Sequence, residues 1–586
     1  MATAVDTGPE KSNSKEQILP SIAATNADAD SPITALPVGP QNASPTPKKS
    51  WAFKVTILSL CLVSLVVTLD ATSIAIALPK IANELKTSEY VWMANCFVLS
   101  QTVVQPPCAQ LCNIFGRRWP MILSLTLFAI GSGIAGGARN VGALIAGRTI
   151  QGAGSGGLNL LSELIICDLV PLRERSKYFG MVLSVGALGT ILGPPIGGVI
   201  AQRDWRWIFY LNVPVAGLVI LVMFFFLRLK HVREPSIRRA LLRIDWIGSF
   251  LFIGATSSFL FGLISGGTSP QYAWSSFRVI VPIVLGIVGW IVFYIFETSR
   301  FCLEPSVPSH LFRTRNSSAG FYITFTSSML MVWVAYFWPV YFQSLHSAST
   351  QQAGTNILPY VAFLIPVSVV AGVALTRFGQ YLPFHFAGFA LCALGLGLNT
   401  LLTQHTNTAT WATFQAINGI GLAMLFPSIL PAILAALPES SAATATGFFS
   451  FLRSFGLVWG ITIPALIFNN EFDRLAAQRI DDPVLRAKLA NGNAYESVGA
   501  ETSLVKGLEE GSREQVVDVY TRALRMVWIV AVAFAVSGFL SVFVERNIPL
   551  RTSLDTEFGL DEGGGKETAD VVREKKSEGR TNDSLA

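Results

Sequence analysis

Val55-Thr-Ile-Leu-Ser-Leu-Cys-Leu-Val-Ser-Leu-Val-Val-Thr-Leu-Asp70-Ala-Thr-Ser-Ile-Ala-Ile-Ala77 is the stretch on which the fold turns. It holds one charge, Asp70, and its length matches the ~20 residues a helix needs to cross ~30 Å of hydrocarbon. Blocks of the same kind recur, among them Val279 to Phe296 and Met526 to Val544. Over 586 residues, 51% are hydrophobic and only 14% charged, with mean hydropathy +0.50. A water-soluble chain of this size needs more charge to cover its surface, so the blocks read as spanning helices in an all-α membrane protein. Lipid bilayer is therefore its first partner.

The apolar blocks predict about 14 transmembrane helices. The cationic loops orient them: Arg117 and Arg118, then Arg173, Arg175 and Lys177, then Lys230 to Arg243, fall on one side. By the positive-inside rule that side is cytosolic, and so are both termini. Residues 1–50 and 549–586 read as disordered cytosolic tails, 469–524 as a mixed-charge, partly helical extracellular loop. Residues 1–47 offer no apolar run for a signal peptide, so the first span serves as the targeting signal. The net charge of +6 is scattered between spans and builds no nucleic-acid patch. Cysteines 61, 96, 108, 112, 167, 302 and 392 avoid the expected outer loops and read as reduced thiols.

An internal repeat appears next. Ala109-Gln-Leu-Cys-Asn113-Ile-Phe115-Gly116-Arg117-Arg118 aligns without a gap to Gly372-Val-Ala-Leu-Thr376-Arg377-Phe378-Gly379-Gln380, and Arg148-Thr-Ile-Gln-Gly152-Ala-Gly154 to Gln415-Ala-Ile-Asn-Gly419-Ile-Gly421. Spans one to six thus repeat as nine to fourteen. The expected layout is a bundle over 51–229, two inserted helices over 230–300, and a second six-helix bundle from 301–468 and 525–548. Parallel repeats of this kind place a substrate site between two halves near the bilayer midplane.

These strings resemble the major facilitator superfamily, specifically its fourteen-span drug:proton antiporter branch and its fungal members. Leu69-Asp70-Ala-Thr-Ser-Ile-Ala-Ile-Ala-Leu78-Pro79 is similar to the branch's first-span motif, and Ala109 to Arg118 to the superfamily loop motif. Leu144-x-x-x-Arg148-x-x-Gln151-Gly152, Gly189-x-x-x-Gly193-Pro194-x-x-Gly197-Gly198 and Trp205 to Pro214 resemble motifs of the fourth, fifth and sixth spans. Asn113 stands where the loop motif has Asp, so a gate built on that charge is differently made here. The resemblance implies proton-coupled efflux of drugs, toxins or secondary metabolites by a plasma-membrane monomer, and associates the fifth-span motif with export. A siderophore or basic amino acid carrier of the plasma or vacuolar membrane, and a transport-inactive sensor, are the rivals.

Within that frame particular residues stand out. A charge at mid-helix costs ~2.5–3.5 kcal/mol on insertion scales, so an intramembrane ion normally faces a cavity or a partner. Asp70 and Arg148 fall at similar depth in the outer half and form the expected proton-coupling pair, since burial and a neighbouring cation pull a carboxyl's proton affinity in opposite directions. Glu163, with Trp338, Tyr341 and Gln343 of the ninth span, is the expected substrate contact. Asn113, Gly116, Arg117, Arg118 and Arg377 belong to gating loops, and Gly189, Gly193, Pro194, Gly197 and Gly198 to close helix packing. Asp168 with Arg173, Glu174 and Arg175 reads as a loop charge network, while Arg453 has no evident partner.

Gly152-Ala-Gly154-Ser-Gly156-Gly157 matches a dinucleotide fingerprint only formally, for it follows no strand. No Gly-x-x-x-x-Gly-Lys-Ser/Thr loop occurs, so no nucleotide cofactor is expected and a proton gradient is the energy source. Five histidines without metal spacing or a nucleophile–base constellation argue against an enzyme.

Overall fold

Inside a bilayer every backbone N–H and C=O must be satisfied within the protein, and a helix does so unaided. The computed structural model describes residues 50–85, 90–229, 236–268, 274–300, 302, 304–490, 493–494 and 508–552. Its long helices in the first part of the chain are α1 (Trp51–Glu84), α2 (Tyr90–Phe115), α3 (Arg118–Gly136), α4 (Val141–Leu169), α5 (Leu172–Arg203) and α6 (Asn212–Phe226), the last entered through the short turn Arg206–Tyr210. An intervening pair follows, α7 (Trp246–Thr268) and α8 (Phe277–Glu297). Then come α9 (Arg315–Leu345), α10 (Leu358–Phe378), α11 (Leu382–Asn399), α12 (Thr408–Ala435), α13 (Ala442–Arg479) and α14 (Glu510–Val542).

Twelve helices among the described residues are long and apolar enough to cross a membrane. The other two long ones, α2 and α4, are more polar for a reason their packing supplies. Helix α4 lies against both α2 and α3, and α2 also meets α7 and α13, so Gln105, Arg148, Gln151 and Asp168 face protein and are buried. At the other extreme stands α8, with 17% of its apolar window buried against 78% for α12. Its exposed Val284, Leu285, Ile291 and Ile295 suit contact with lipid tails.

The repeat is visible in three dimensions. Gly116 and Gly379 take φ of 77° and 70°, the positive-φ glycines of the described residues, at matching places after α2 and after α10. A left-handed residue there ends one helix and turns the chain into the next, and glycine adopts it without a Cβ clash. In α4, Gly152 meets the backbone of Phe97 on α2 and Gly154 that of Phe128 on α3; in α12, Gly419 meets Tyr360 on α10 and Gly421 meets Cys392 on α11. The two sets of six touch where α5 packs on α10 and α2 on α13. The repeat exchanges these two seams.

Helix α1 is sewn to α5 by hydroxyls. Ser64, Thr68 and Ser73 donate to the carbonyls of Val182, Gly186 and Gly193 at 3.2, 2.8 and 2.9 Å. Small residues let the backbones close enough for these bonds, the usual means of helix association where apolar burial gives no preference.

The expected loop over 469–524 is entered by helix from both ends. Helix α13 runs on to Arg479 and α14 begins at Glu510, because Phe468 and Phe472 stack against Tyr520 while Arg479 and Arg522 pair with Asp518 outside that contact. The expected tails lie outside the described residues, except at their inner ends. There the expectation of disorder from residue 549 fails: Leu550 is buried and Arg551 donates to the carbonyls of Leu434 and Leu437. Just before it, Glu545 meets His385 at 2.6 Å, both fully buried, and the Asn316 side-chain amide donates to the Arg546 carbonyl and accepts from its backbone N–H.

A Cβ on Gly197 would lie 2.7 Å from the Ser73 carbonyl and 2.8 Å from its Cα, whereas one on Gly186 first meets the rotatable Ser64 hydroxyl. Gly197→Ala is expected to cost about 1–3 kcal/mol and Gly186→Ala nearly nothing, measured as thermal midpoints of the purified protein in detergent.

Candidate functional site

Asp70 and Arg148, expected to pair, do so. The Arg148 Nη1 donates to Asp70 Oδ2 at 2.6 Å and to Gln151 Oε1 at 2.7 Å. Gln151 Nε2 donates to Asp70 Oδ1 at 3.0 Å and to Ser132 at 2.8 Å, and Asn212 Nδ2 reaches Asp70 Oδ1 at 2.5 Å. All five side chains are buried, Asp70 completely, and the guanidinium lies 4.2 Å from the centre of the Phe97 ring. Helices α1, α3, α4 and α6 each supply a member. Two atoms are left without partners, Arg148 Nε and Asn212 Oδ1. The network is thus incomplete, a condition that buried polar groups tolerate poorly. Gln151 and Asn212 sit inside the strings that carry the family resemblance, yet sequence alone gave no sign that both amides close on Asp70.

Fifteen residues further along α4, about 22 Å at the helical rise, Glu163 forms the second intramembrane pair. Its carboxylate accepts from the Arg453 guanidinium and, at 2.6 Å, from the Ser450 hydroxyl, both on α13. Arg453, solitary in the sequence, therefore has its partner 290 positions away. Beside the pair lies a cavity of about 50 Å³, room for a few waters. Ser64, Asn159 and Ser162 give it polar points, and Phe179, Phe426 and Phe449 line its walls. The remaining expected substrate contacts are elsewhere: Trp338 packs against Tyr341, Phe342 and Trp528, and Tyr341 donates to the Thr403 carbonyl at 3.0 Å. Gln343 is buried and does not border this cavity.

Charges at the end of the bundle that carries Arg117, Arg118, Arg173 and Arg175 form the third group. Arg117 pairs with Asp168 at 2.7 Å and donates to the Cys112 carbonyl at 2.8 Å. The charged contact of this loop thus runs to α4, consistent with Asn113 replacing an Asp. Arg173 donates to the carbonyls of Thr376 and Arg377, the last turn of α10, at 2.9 and 2.8 Å, where a cation also complements the helix dipole. Arg175 pairs with Glu439, which Arg551 approaches at 3.6 Å. These bonds join the first six helices to the last six. Arg118 stacks its guanidinium over Phe224 at 4.5 Å. Of the fifth-span glycines, Gly189, Gly193 and Gly197 face α1; the side chain of Pro194 is outside the described residues.

At the opposite end Arg206 and Trp205 donate to Glu84, each at 2.7 Å. Those donors, Arg206 first, hold its carboxyl below the usual range. Among the described residues no group of three metal-ligating side chains occurs.

The Major Facilitator Superfamily model matches residues 60–461. The MFS efflux transporter aclA of Aspergillus oryzae is 46% identical over 88% of this chain and 93% of its own length. The MFS-type transporter gkaD of Penicillium citrinum is 45% identical over 88% of each chain, and the efflux pump FUS6 of Gibberella moniliformis 39% identical over 88% of this chain and 91% of its own. Two solved structures share the fold at TM-score 0.53: the human organic anion transporter MFSD10, 14% identical over 84% of this chain and all of its own, and the proton:xylose symporter XylE, 15% identical over 86% and 97%.

Arg117→Gln would leave the buried Asp168 carboxylate without its cation, a loss of about 3–5 kcal/mol. The thermal midpoint in detergent should fall sharply for this variant and recover largely in the double variant Arg117→Gln, Asp168→Asn.

Proposed function

The chain belongs to the Major Facilitator Superfamily, and from that premise we propose that it exports small organic molecules, drugs, toxins or secondary metabolites, from the cytosol in exchange for protons. The relatives named as efflux transporters and pumps support the outward direction of transport. The cationic end described above is then the cytosolic one, following the positive-inside rule, and the plasma membrane is the proposed location.

The observation that carries the reading is the Asp70 cluster. Three donors from Arg148, Gln151 and Asn212 hold the carboxylate charged inside a bundle, and an ionised group there persists only while its partners stay in place. When α1 and α4 shift against each other, the Arg148 contact lengthens and a proton becomes the cheapest replacement. The amide of Asn212 can flip, turning its unpartnered Oδ1 to accept from a protonated Asp70, since either amide orientation occupies the same space. Arg148 then keeps Gln151 Oε1 and the Phe97 face. Movement of the two halves would occur at the α5–α10 and α2–α13 seams, with the Arg173, Arg175 and Glu439 bonds parting and re-forming on the cytosolic side.

One proton crossing ~100 mV releases ~2.3 kcal/mol, which sustains a roughly fiftyfold gradient of a neutral cargo when each 1.4 kcal/mol is tenfold. No nucleotide is required for that work. In proteoliposomes, Asp70→Asn is expected to remain folded and to exchange cargo down its gradient, while uptake driven by a pH difference falls to background. Coupling that survives the substitution would remove Asp70 from the mechanism.

A further inference from the structure

The Glu163–Arg453 pair sets a condition on what the neighbouring cavity can hold. Glu163 rises from α4 in the first six helices and Arg453 from α13 in the last six, so the pair closes one wall of the space lined by Phe179, Phe426 and Phe449. Its net charge is zero. A cation binding to Glu163 would strand the Arg453 guanidinium, and an anion binding to Arg453 would strand the carboxylate; either leaves an uncompensated charge in a low-dielectric site. A neutral acid escapes both penalties. Its O–H proton passes to a Glu163 carboxylate oxygen, its conjugate base takes the guanidinium, and the site again holds one ion pair and one neutral carboxyl.

We propose, on the reading of the chain as an exporter, that this site, widened beyond its present 50 Å³ or so as the two halves part, selects amphipathic weak acids, carboxylic or enolic, which enter protonated and exchange partners with the Glu163–Arg453 pair. Several features equip it to do so. Arg453 is partly open to the cavity, as is Glu163, with side-chain exposures of 18% and 12%. A guanidinium offers a fork of donors that matches a carboxylate bidentately. Ser450 stays on Glu163 Oε2 at 2.6 Å and accepts or donates as the carboxyl changes state. The aromatic walls suit an apolar body, and Arg453 already rests 5.6 Å from the centre of the Phe449 ring. Among the described residues the groups around Glu163 are Arg453 and Ser450 from α13, Asn159, Ser162 and the Cys167 thiol along α4, Ser64 of α1, and apolar side chains from α5 and α12. Among these only Arg453 and the thiol are ionisable.

The test uses the full purified chain and three probes of one shape, naphthylacetic acid, naphthylacetamide and naphthylethylamine, with binding read by tryptophan quenching. The acid should bind about tenfold or more tightly than the amide and the amine. Above the acid's own pKa, binding takes up one proton, so wild-type affinity should fall about tenfold per pH unit over roughly pH 6 to 8. In Glu163→Gln the anion meets a free guanidinium without proton uptake, and the slope should flatten; in Arg453→Gln the preference for acid over amide should vanish. Equal binding of acid and amide by the wild type, an unchanged slope in Glu163→Gln, or an acid preference that survives Arg453→Gln overturns the proposal. A chain that carries the amide across proteoliposomes without favouring the acid keeps the transport reading and loses this one. A chain that binds the acid with the stated slope yet moves no probe under any pH gradient upholds the acid site and overturns transport.

Discussion

A charge surrounded by hydrocarbon survives only beside an opposite one, and helix α4 is where this chain meets that constraint most often. Arg148, Glu163 and Asp168 descend one helix and find their partners on two others and a loop: Asp70 on α1, Arg453 on α13, Arg117 after α2. The remaining architecture serves these pairings. Helix α4 is shielded by α2 and α3, which is why it tolerates a polarity that would expel it from lipid. Its glycines bring those neighbours close enough that no water-sized gap separates backbone from backbone.

The pairs differ in what they join. Asp70–Arg148 lies wholly within the first six helices, so it can change state without parting the halves. Glu163–Arg453 bridges the halves directly, and so do Arg175–Glu439 and the Arg173 bonds to the end of α10. A rocking motion must break the second kind and only perturb the first. That division suits a carrier in which proton occupancy at one level of α4 is felt as cargo exchange at another, about 22 Å away.

Much of this was legible beforehand. Apolar length gave the helices, the loop repeat gave the two sets of six, and an Asp and an Arg at matching depth gave the pair that the structure closes. What stayed hidden depended on contacts that no local pattern encodes. Arg453 looked solitary because its partner is 290 positions distant. Asn212 and Gln151 are ordinary amides until three helices bring them to one carboxylate. The aromatic run around Trp338 offered no sign of which way it faced, and it turns toward Trp528 on α14. Mixed charge over 469–524 read as a partly helical outer loop, and the flanking helices do run into it, to Arg479 and from Glu510, with Phe472 packed against Tyr520.

The central claim is that Asp70 gives up its ion pair and takes a proton as the carrier turns over. Infrared difference spectra of the protein in bilayers, recorded across a pH jump with and without cargo, read carboxyl protonation directly when compared with Asp70→Asn. A protonated-carboxyl signal that is removed by the substitution and altered by cargo is what the account predicts. A carboxylate that stays ionised at Asp70 under every condition would contradict it.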